Sequence, residues 1–386
     1  MKHRRKNGFR SFLGLMLLFS TVFSVTYLAL YAKSTPSDLS VDHSDTIYRR
    51  LAEASPINSD TKPKTLPLAD TPTPKNPVPD VVSNAEPSVS PSKESAEIGK
   101  IATIKVQNAD SGEIFELPLE DYVASCVLAE MKVGAPIEAL KAQAVACRTL
   151  AMRFALDPDK TAHGGADICT SPAHCQGYRD VAGFATDFGE SGKKAAESAV
   201  NAAKATKGII LVHNGEPIVA AFHASSGGKT ASSKEVWGGD VPYLVSVETD
   251  EIYSEGLSDM VKDTASFNRN IFLRLLENAG LADGEKLSDK PFSTFLSGVT
   301  RTESGRVDFL EIDGKRVSGD SLRRALGLKS CDFSFSYTDD TVTFTTVGYG
   351  HGVGMSQLGA VAMAEKGESF YSILDHYYPD CRADIM

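Results

Sequence analysis

The sequence predicts an α+β fold, with mixed helices, antiparallel hairpins and a smaller inserted subdomain. Three observations carry that prediction. Helical and alternating apolar patterns are intermixed along the chain, without the regular strand–helix–strand order of a doubly wound parallel sheet. Two stretches, "GIILVHNGEPIVAAFH" and "CDFSFSYTDDTVTFTTVG", read as antiparallel hairpins, the first with "NGEP" at its turn. Between about residues 255 and 335 the pattern changes to a helix, a strand pair around "VDFLEIDGKRVS" and the helix "GDSLRRALGL", as an insertion between two parts of a core would. No internal repeat interrupts this plan.

The N-terminal part has another character. Residues 1–11 hold Lys2, Arg4, Arg5, Lys6 and Arg10, and an uncharged apolar run follows from Phe12 to Tyr31. A run of about 20 residues spans a bilayer as a helix, and the basic flank keeps that end in the cytoplasm. The reading is a retained membrane-spanning helix over 12–31, with the remainder outside the cytoplasm. The alternative is a cleaved signal peptide, whose small-residue cleavage site is poorly matched by Tyr27, Leu30 and Tyr31. Residues 33–98, including "TPTPKNPVPD", are rich in Pro, Ser and Thr and poor in apolar residues, the composition of a disordered tether. The net charge of −10, with no long basic block beyond the N-terminus, argues against nucleic-acid binding.

The globular part covers residues 100–386. "IATIKV" alternates as a strand, and "EIFELPLEDYV" passes from strand into helix at Pro118, with Glu120 and Asp121 in the favoured acidic first turn. A second helix runs from near Pro136 to about Phe154. Residues 157–185 read as loop, 187–205 as an Ala-rich helix, and 355–366 and 369–377 as closing helices.

Two charges interrupt apolar helix faces. Tyr122, Cys126 and Glu130 share a face of the first helix, so Glu130 ends an apolar stripe. A carboxyl with little hydration keeps its proton to higher pH and serves as a general acid; the plainer role is a hydrogen bond to a helix end. Leu140, Ala144 and Arg148 are spaced by four on the second helix. A guanidinium there needs an anion, either Glu130 from a neighbouring helix or a substrate group. A tight pair with Glu130 would lower its pKa and spoil an acid role, so catalysis requires Arg148 near the cleft without that pairing.

The blocks "LEDYVASCVLAEM", "PIEALKAQAVACRTLAM", "FHASSGGKTASSKEVWGGDVPYLVSV" and "GYGHGVGMSQLGAVAMAEKGESFYSILDHYYP" together resemble the stage II sporulation protein D (SpoIID) family. They span about residues 101–380 in the family's order. The resemblance implies a lytic transglycosylase that cuts peptidoglycan glycan strands in septal thinning and forespore engulfment. It implies an extracytoplasmic domain on the mother-cell membrane, facing the intermembrane space, in complex with stage II sporulation proteins P and M. The family's catalytic Glu falls on Glu130 and its essential Arg on Arg148; Cys147 and Leu150 depart from the usual pattern with apolar residues. Glu130 would protonate the glycosidic oxygen between N-acetylmuramic acid and N-acetylglucosamine. The carboxylate would then take a proton from the muramoyl 6-hydroxyl, leaving a 1,6-anhydro end without water.

In the same reading the polar loop Ser225, Ser226, Gly227, Gly228, Lys229 and Thr230, with His223 beside it, binds the sugar; a plain turn is the alternative. The alternating glycines of "GYGHGVGMSQ" lack the endings of phosphate or dinucleotide loops and would set His351, Ser356 and Gln357 toward the same cleft. A purely structural His351 is the alternative there.

Six cysteines are too few for a dense disulfide framework, and Cys126 and Cys147 fit as small core residues. His163, Cys169, His174 and Cys175 lie within 13 residues and offer a tetrahedral zinc shell. Four protein ligands would close that shell, making the metal structural. A Cys169–Cys175 disulfide is the rival. Two other functions compete: a noncatalytic glycan-binding scaffold that activates an amidase, and a zinc amidase using the His/Cys cluster.

Overall fold

The computed structural model describes residues 101–251 and 261–386. The segments 1–11 and 12–31 and the tether 33–98 lie outside these residues. Among the described residues no helix is long and apolar enough to cross a membrane.

Strands β1 (Thr103–Gln107) and β2 (Ile114–Pro118) form a hairpin, with Val106 opposite Phe115. Helix α1 (Leu119–Glu130) follows Pro118 directly, because the proline ring presets φ at −54° and the first turn needs no N–H there. It ends where Met131 becomes extended, ahead of Gly134 (φ +85°) and Pro136. Helix α2 (Ile137–Leu156) starts behind Pro136 and is buried on nearly every side. It packs on α1, on the helices 189–205, 357–365 and 370–377, and on strand 209–213. Its alanines at 139, 142, 144, 146 and 151 allow so many neighbours to approach closely.

The stretch 157–185, read as loop, carries regular structure. A 3-10 turn covers Thr161–His163, and β3 (Ile168–Cys169) pairs parallel with β1. Helix α3 (Val181–Asp187) is capped by the Asp180 side chain. Helix α4 (Gly189–Ala205) begins after a break, since Gly189 takes φ +58°. Its Ala195, Ala199 and Ala202 face the core.

The first predicted hairpin is real but short. β4 (Ile209–His213) turns at Asn214 and Gly215, both at positive φ, into β5 (Glu216–Pro217). Beyond it the chain leaves that sheet, and β6 (Phe222–His223) runs elsewhere.

A second apolar cluster has its own residues, among them Phe272, Phe295, Leu310, Leu322, Phe333 and Phe344. It is built by β7 (Lys262–Asn268), α5 (Arg269–Asn278), β8 (Leu296–Arg301), β9 (Val307–Ile312), β10 (Lys315–Ser318), α6 (Gly319–Leu326), β11 (Phe333–Tyr337) and β12 (Thr341–Val347). The sheets are ordered β10-β9-β8 and β11-β12-β7. The second hairpin therefore packs with this cluster, past the 335 read as its end, because Phe333 and Phe344 are buried in it. β13 (Met355–Ser356) pairs parallel with β6. Helices α7 (Gln357–Glu365) and α8 (Phe370–Tyr377) follow serine caps, and β14 (Arg382–Ile385) closes on β4. The architecture is α+β, and among the described residues all pairings between these strands are antiparallel except β1–β3 and β6–β13.

Candidate functional site

Glu130 is the last residue of α1. Its carboxyl meets two neutral donors from distant parts of the chain: the backbone N–H of Gly177 on Oε1, and Gln357 Nε2 on Oε2 at 3.3 Å. Gln357 is the first residue of α7 and also reaches Gln143 Oε1 on α2 at 3.5 Å. Burial raises the Glu130 pKa above the ordinary carboxylate value, and the bonds from Gly177 and Gln357 oppose the rise. No carboxylate is among the groups that shift it. Asp121, on the same helix, is exposed and nine residues away, about 13 Å along the axis. Gly177 comes this close because it lacks a side chain: a Cβ would fall 2.8 Å from Glu130 Oε1.

Arg148 is not at this carboxyl. Its anion is Glu120, ten residues before Glu130 on α1 and so about 15 Å from it along the axis. All five guanidinium N–H groups are engaged. Nε and Nη2 donate to the Glu120 carboxylate at 3.0 and 2.5 Å. Nη1 donates to Thr206 Oγ1 and Ile209 O at 3.3 and 3.1 Å, and Nη2 also to Ala203 O at 3.0 Å. Arg148 is fully buried and ties α1 to the end of α4 and the start of β4. The expectation that it faces the cleft is corrected: its donors are spent inside the fold.

The serine–glycine loop also turns inward. Ser225 Oγ donates to Glu251 at 2.5 Å, and the N–H groups of Ser226 and Gly227 donate to the same carboxylate at 2.8 and 2.9 Å. Ser356 Oγ donates to it from the cap of α7. Glu251 is thus a buried hub joining this loop to the helix that presents Gln357. His223 is buried, with Nδ1 on Val353 O at 3.1 Å and Nε2 on Ser226 Oγ at 2.6 Å. Its burial, helped by His351 and Arg306, pulls its pKa well below the ordinary value. Gly228 O accepts from Thr249 N, Lys229 pairs with Glu248 at 3.7 Å, and Thr230 Oγ1 accepts from Val247 N. His351 lies against the rings of His223 and Trp237. Of the eleven other residues read as catalytic or sugar-binding, Gln357 is the one hydrogen-bonded to Glu130.

His163, Cys169, His174 and Cys175 converge. His163 Nε2 lies 3.2 Å from His174 Nδ1 and 3.1 Å from Cys175 Sγ. His174 Nδ1 is 3.3 Å from both sulfurs, which are 3.6 Å apart. A tetrahedral zinc shell has ligand–ligand edges of about 3.3 to 3.8 Å. A disulfide requires sulfurs about 2.05 Å apart, and these two stand 3.6 Å apart. The donor set therefore fits zinc. The Cys169 thiol is lowered to about 3, first by the Cys175 thiol beside it and then by His163 and His174, against its burial. Cys175 stands two residues before Gly177, so the cluster anchors the segment that touches Glu130.

Sequence reasoning missed Glu120 as the Arg148 partner, and also Gln143, Gly177 and Glu251. Only Glu120 had been noted, for its place in the first turn. The others lie in distant segments with no local signal.

A family profile described as "Stage II sporulation protein" matches residues 107–213. The chain is 32% identical to the stage II sporulation protein D of Bacillus amyloliquefaciens over 76% of its own length and 80% of that protein. It is 32% identical to the same protein of Bacillus subtilis (strain 168), over 75% and 82%. It is 31% identical to the "Amidase enhancer" of Bacillus subtilis (strain 168), over 65% of this chain but 38% of that one. At 32% identity to these two Bacillus proteins over about three quarters of its length, the chain belongs to the stage II sporulation protein D family.

Proposed function

We propose that this protein acts on the cell wall in sporulation as a peptidoglycan lytic transglycosylase, with Glu130 as its acid and then its base. The observation that carries the reading is a poorly hydrated carboxyl at a helix end, held by two neutral donors and shifted by no second carboxylate. Two-carboxylate glycosidases need a nucleophile or base opposite the acid. A single carboxyl suffices when the 6-hydroxyl of the muramoyl residue closes on its own anomeric carbon. Glu130 gives its proton to the leaving glycosidic oxygen, and the resulting carboxylate takes the hydroxyl proton. The Gly177 N–H and Gln357 stabilise the carboxylate between those steps.

The His163, Cys169, His174 and Cys175 donor set supports a structural zinc, which would supply cross-linking of the 163–175 loop. Those four side chains leave no place for a substrate group in a closed shell, which disfavours the zinc amidase. Membrane attachment through 12–31, an extracytoplasmic location and assembly with stage II sporulation proteins P and M complete the proposal.

The test is Glu130→Gln in the full chain, assayed for soluble fragments from purified glycan strands. Loss of cutting with a Tm no lower than that of wild type supports the reading; wild-type cutting removes Glu130 from the chemistry. A second reading, a glycan-binding amidase activator, is favoured by the similarity to a protein named amidase enhancer. It predicts that wild type and variant alike release no fragments while both stimulate an amidase.

A further inference from the structure

Arg306, on the turn before β9, plays no part in the chemistry above, yet only 4% of it is exposed. Its hydrogen-bond acceptors are two backbone carbonyls, Lys229 O at 3.1 Å from Nη1 and Ser226 O at 3.5 Å from Nη2. Its Nε has no acceptor. The carboxylates that act on it from farther away are committed elsewhere. Asp332 pairs with Arg301 at 3.3 Å, Glu235 accepts from Ser232 N and Ser304 N, and Glu251 holds the serine loop. A buried guanidinium without its own anion is costly.

The fold makes room for this one. A Cβ on Gly352 would fall 2.4 Å from Nη2 and 2.7 Å from Nε. Gly352 sits at φ +85°, so it is also a poor position for any larger residue. Arg306 further lines a cavity of about 250 Å³, together with His351, Glu235, Asp308, Asp320, Arg323 and Arg324. The last two face Asp320 at 3.7 and 2.7 Å. The lining is therefore mixed in charge, and the distinctive element is the buried, underpaired edge of Arg306.

We propose that this cavity is a carboxylate-binding site, with the Arg306 guanidinium on its wall as the cation that holds the bound group. The site stands on the geometry alone; that the carboxylate belongs to peptidoglycan rests on the glycan-cleaving reading. Two sources exist on such a strand: the lactyl carboxylate of an unsubstituted muramic acid and a carboxylate of an attached peptide.

The test uses the full chain labelled with ¹⁵N-arginine. It is titrated with N-acetylmuramic acid, with N-acetylmuramoyl-L-alanyl-D-isoglutamine and with N-acetylglucosamine, which has no carboxylate. The Arg306 Nε–H resonance should move with one or both of the first two, the responding compound identifying the source, and stay put with the third. Arg306→Lys should bind at least about tenfold more weakly. Asp308→Asn, a part-exposed change that spares the fold, should bind several-fold more tightly. An Nε resonance unmoved by both carboxylates, equal shifts with N-acetylglucosamine, or unaltered affinity in Asp308→Asn would overturn the site. Glu130→Gln should bind these probes as wild type does. If Glu130→Gln still cuts glycan, the enzymatic reading fails while the binding result stands.

Discussion

Replacing Arg148 by lysine should cost about 3 kcal/mol of stability and leave glycan cutting largely intact. Five N–H groups of Arg148 meet five acceptors: two carboxylate oxygens of Glu120, Thr206 Oγ1, Ile209 O and Ala203 O. A lysine has three donors on a compact head, so at least two acceptors lose their partner. An orphaned buried polar group costs about 1–3 kcal/mol, and breaking a buried ion pair about 3–5 kcal/mol. The Glu120 side chain is 22% exposed and can regain some water, which keeps the total near the lower end. For a unit of this size that is a fall in Tm of about 5 °C. The assay is thermal unfolding beside fragment release measured well below both transitions. A variant that unfolds like wild type but cuts more than about 100-fold more slowly would refute the reasoning and put Arg148 in the chemistry.

Three other outcomes follow from the same site. Gln357→Ala removes a bond that lowers the Glu130 pKa. In the proposed mechanism Glu130 must be protonated to act, so the alkaline limb of the pH–rate profile should move to higher pH; an unmoved limb would show that Gln357 does not tune it. The linkage has a definite sign: with its folded pKa raised, Glu130 contributes stability below the ordinary carboxylate pKa, lost as pH rises through the folded value. Glu130→Gln should therefore gain stability relative to wild type above that value, seen as a Tm difference that grows with pH. Gly177→Ala, whose methyl would fall 2.8 Å from Glu130 Oε1, should reduce kcat about tenfold with little change in Tm, and an unaffected kcat would contradict the contact. Chelation of the proposed metal should lower Tm and cutting together; loss of cutting with Tm unchanged would favour a catalytic metal instead.

The sequence made the α+β class and the Glu130 position readable because both depend on local periodicity: alternation for the hairpins, four-residue spacing for the α1 stripe. The two-residue pairs β1–β3 and β6–β13 were not readable, since strands so short carry no alternation. The strand β7 was hidden because "KDTASFN" offers no apolar face strong enough to stand out. The Arg148 face was correctly seen as buried, yet its partner was misjudged. Spacing fixes which face a side chain shares, while the choice between Glu120 and Glu130 depends on how α1 lies along α2. The serine–glycine loop looked like a sugar site because its hydroxyls and amides suit any oxygen ligand. The protein's own Glu251, distant in sequence, takes that place. The His/Cys cluster was readable because all four donors lie on one short loop.

The central claim is that Glu130 severs the glycan without water. Digestion of purified strands by the full chain in H₂¹⁸O, read by mass spectrometry, tests it most directly. The account predicts new 1,6-anhydromuramoyl ends that carry no ¹⁸O. Reducing ends bearing ¹⁸O would mean hydrolysis, and would contradict it.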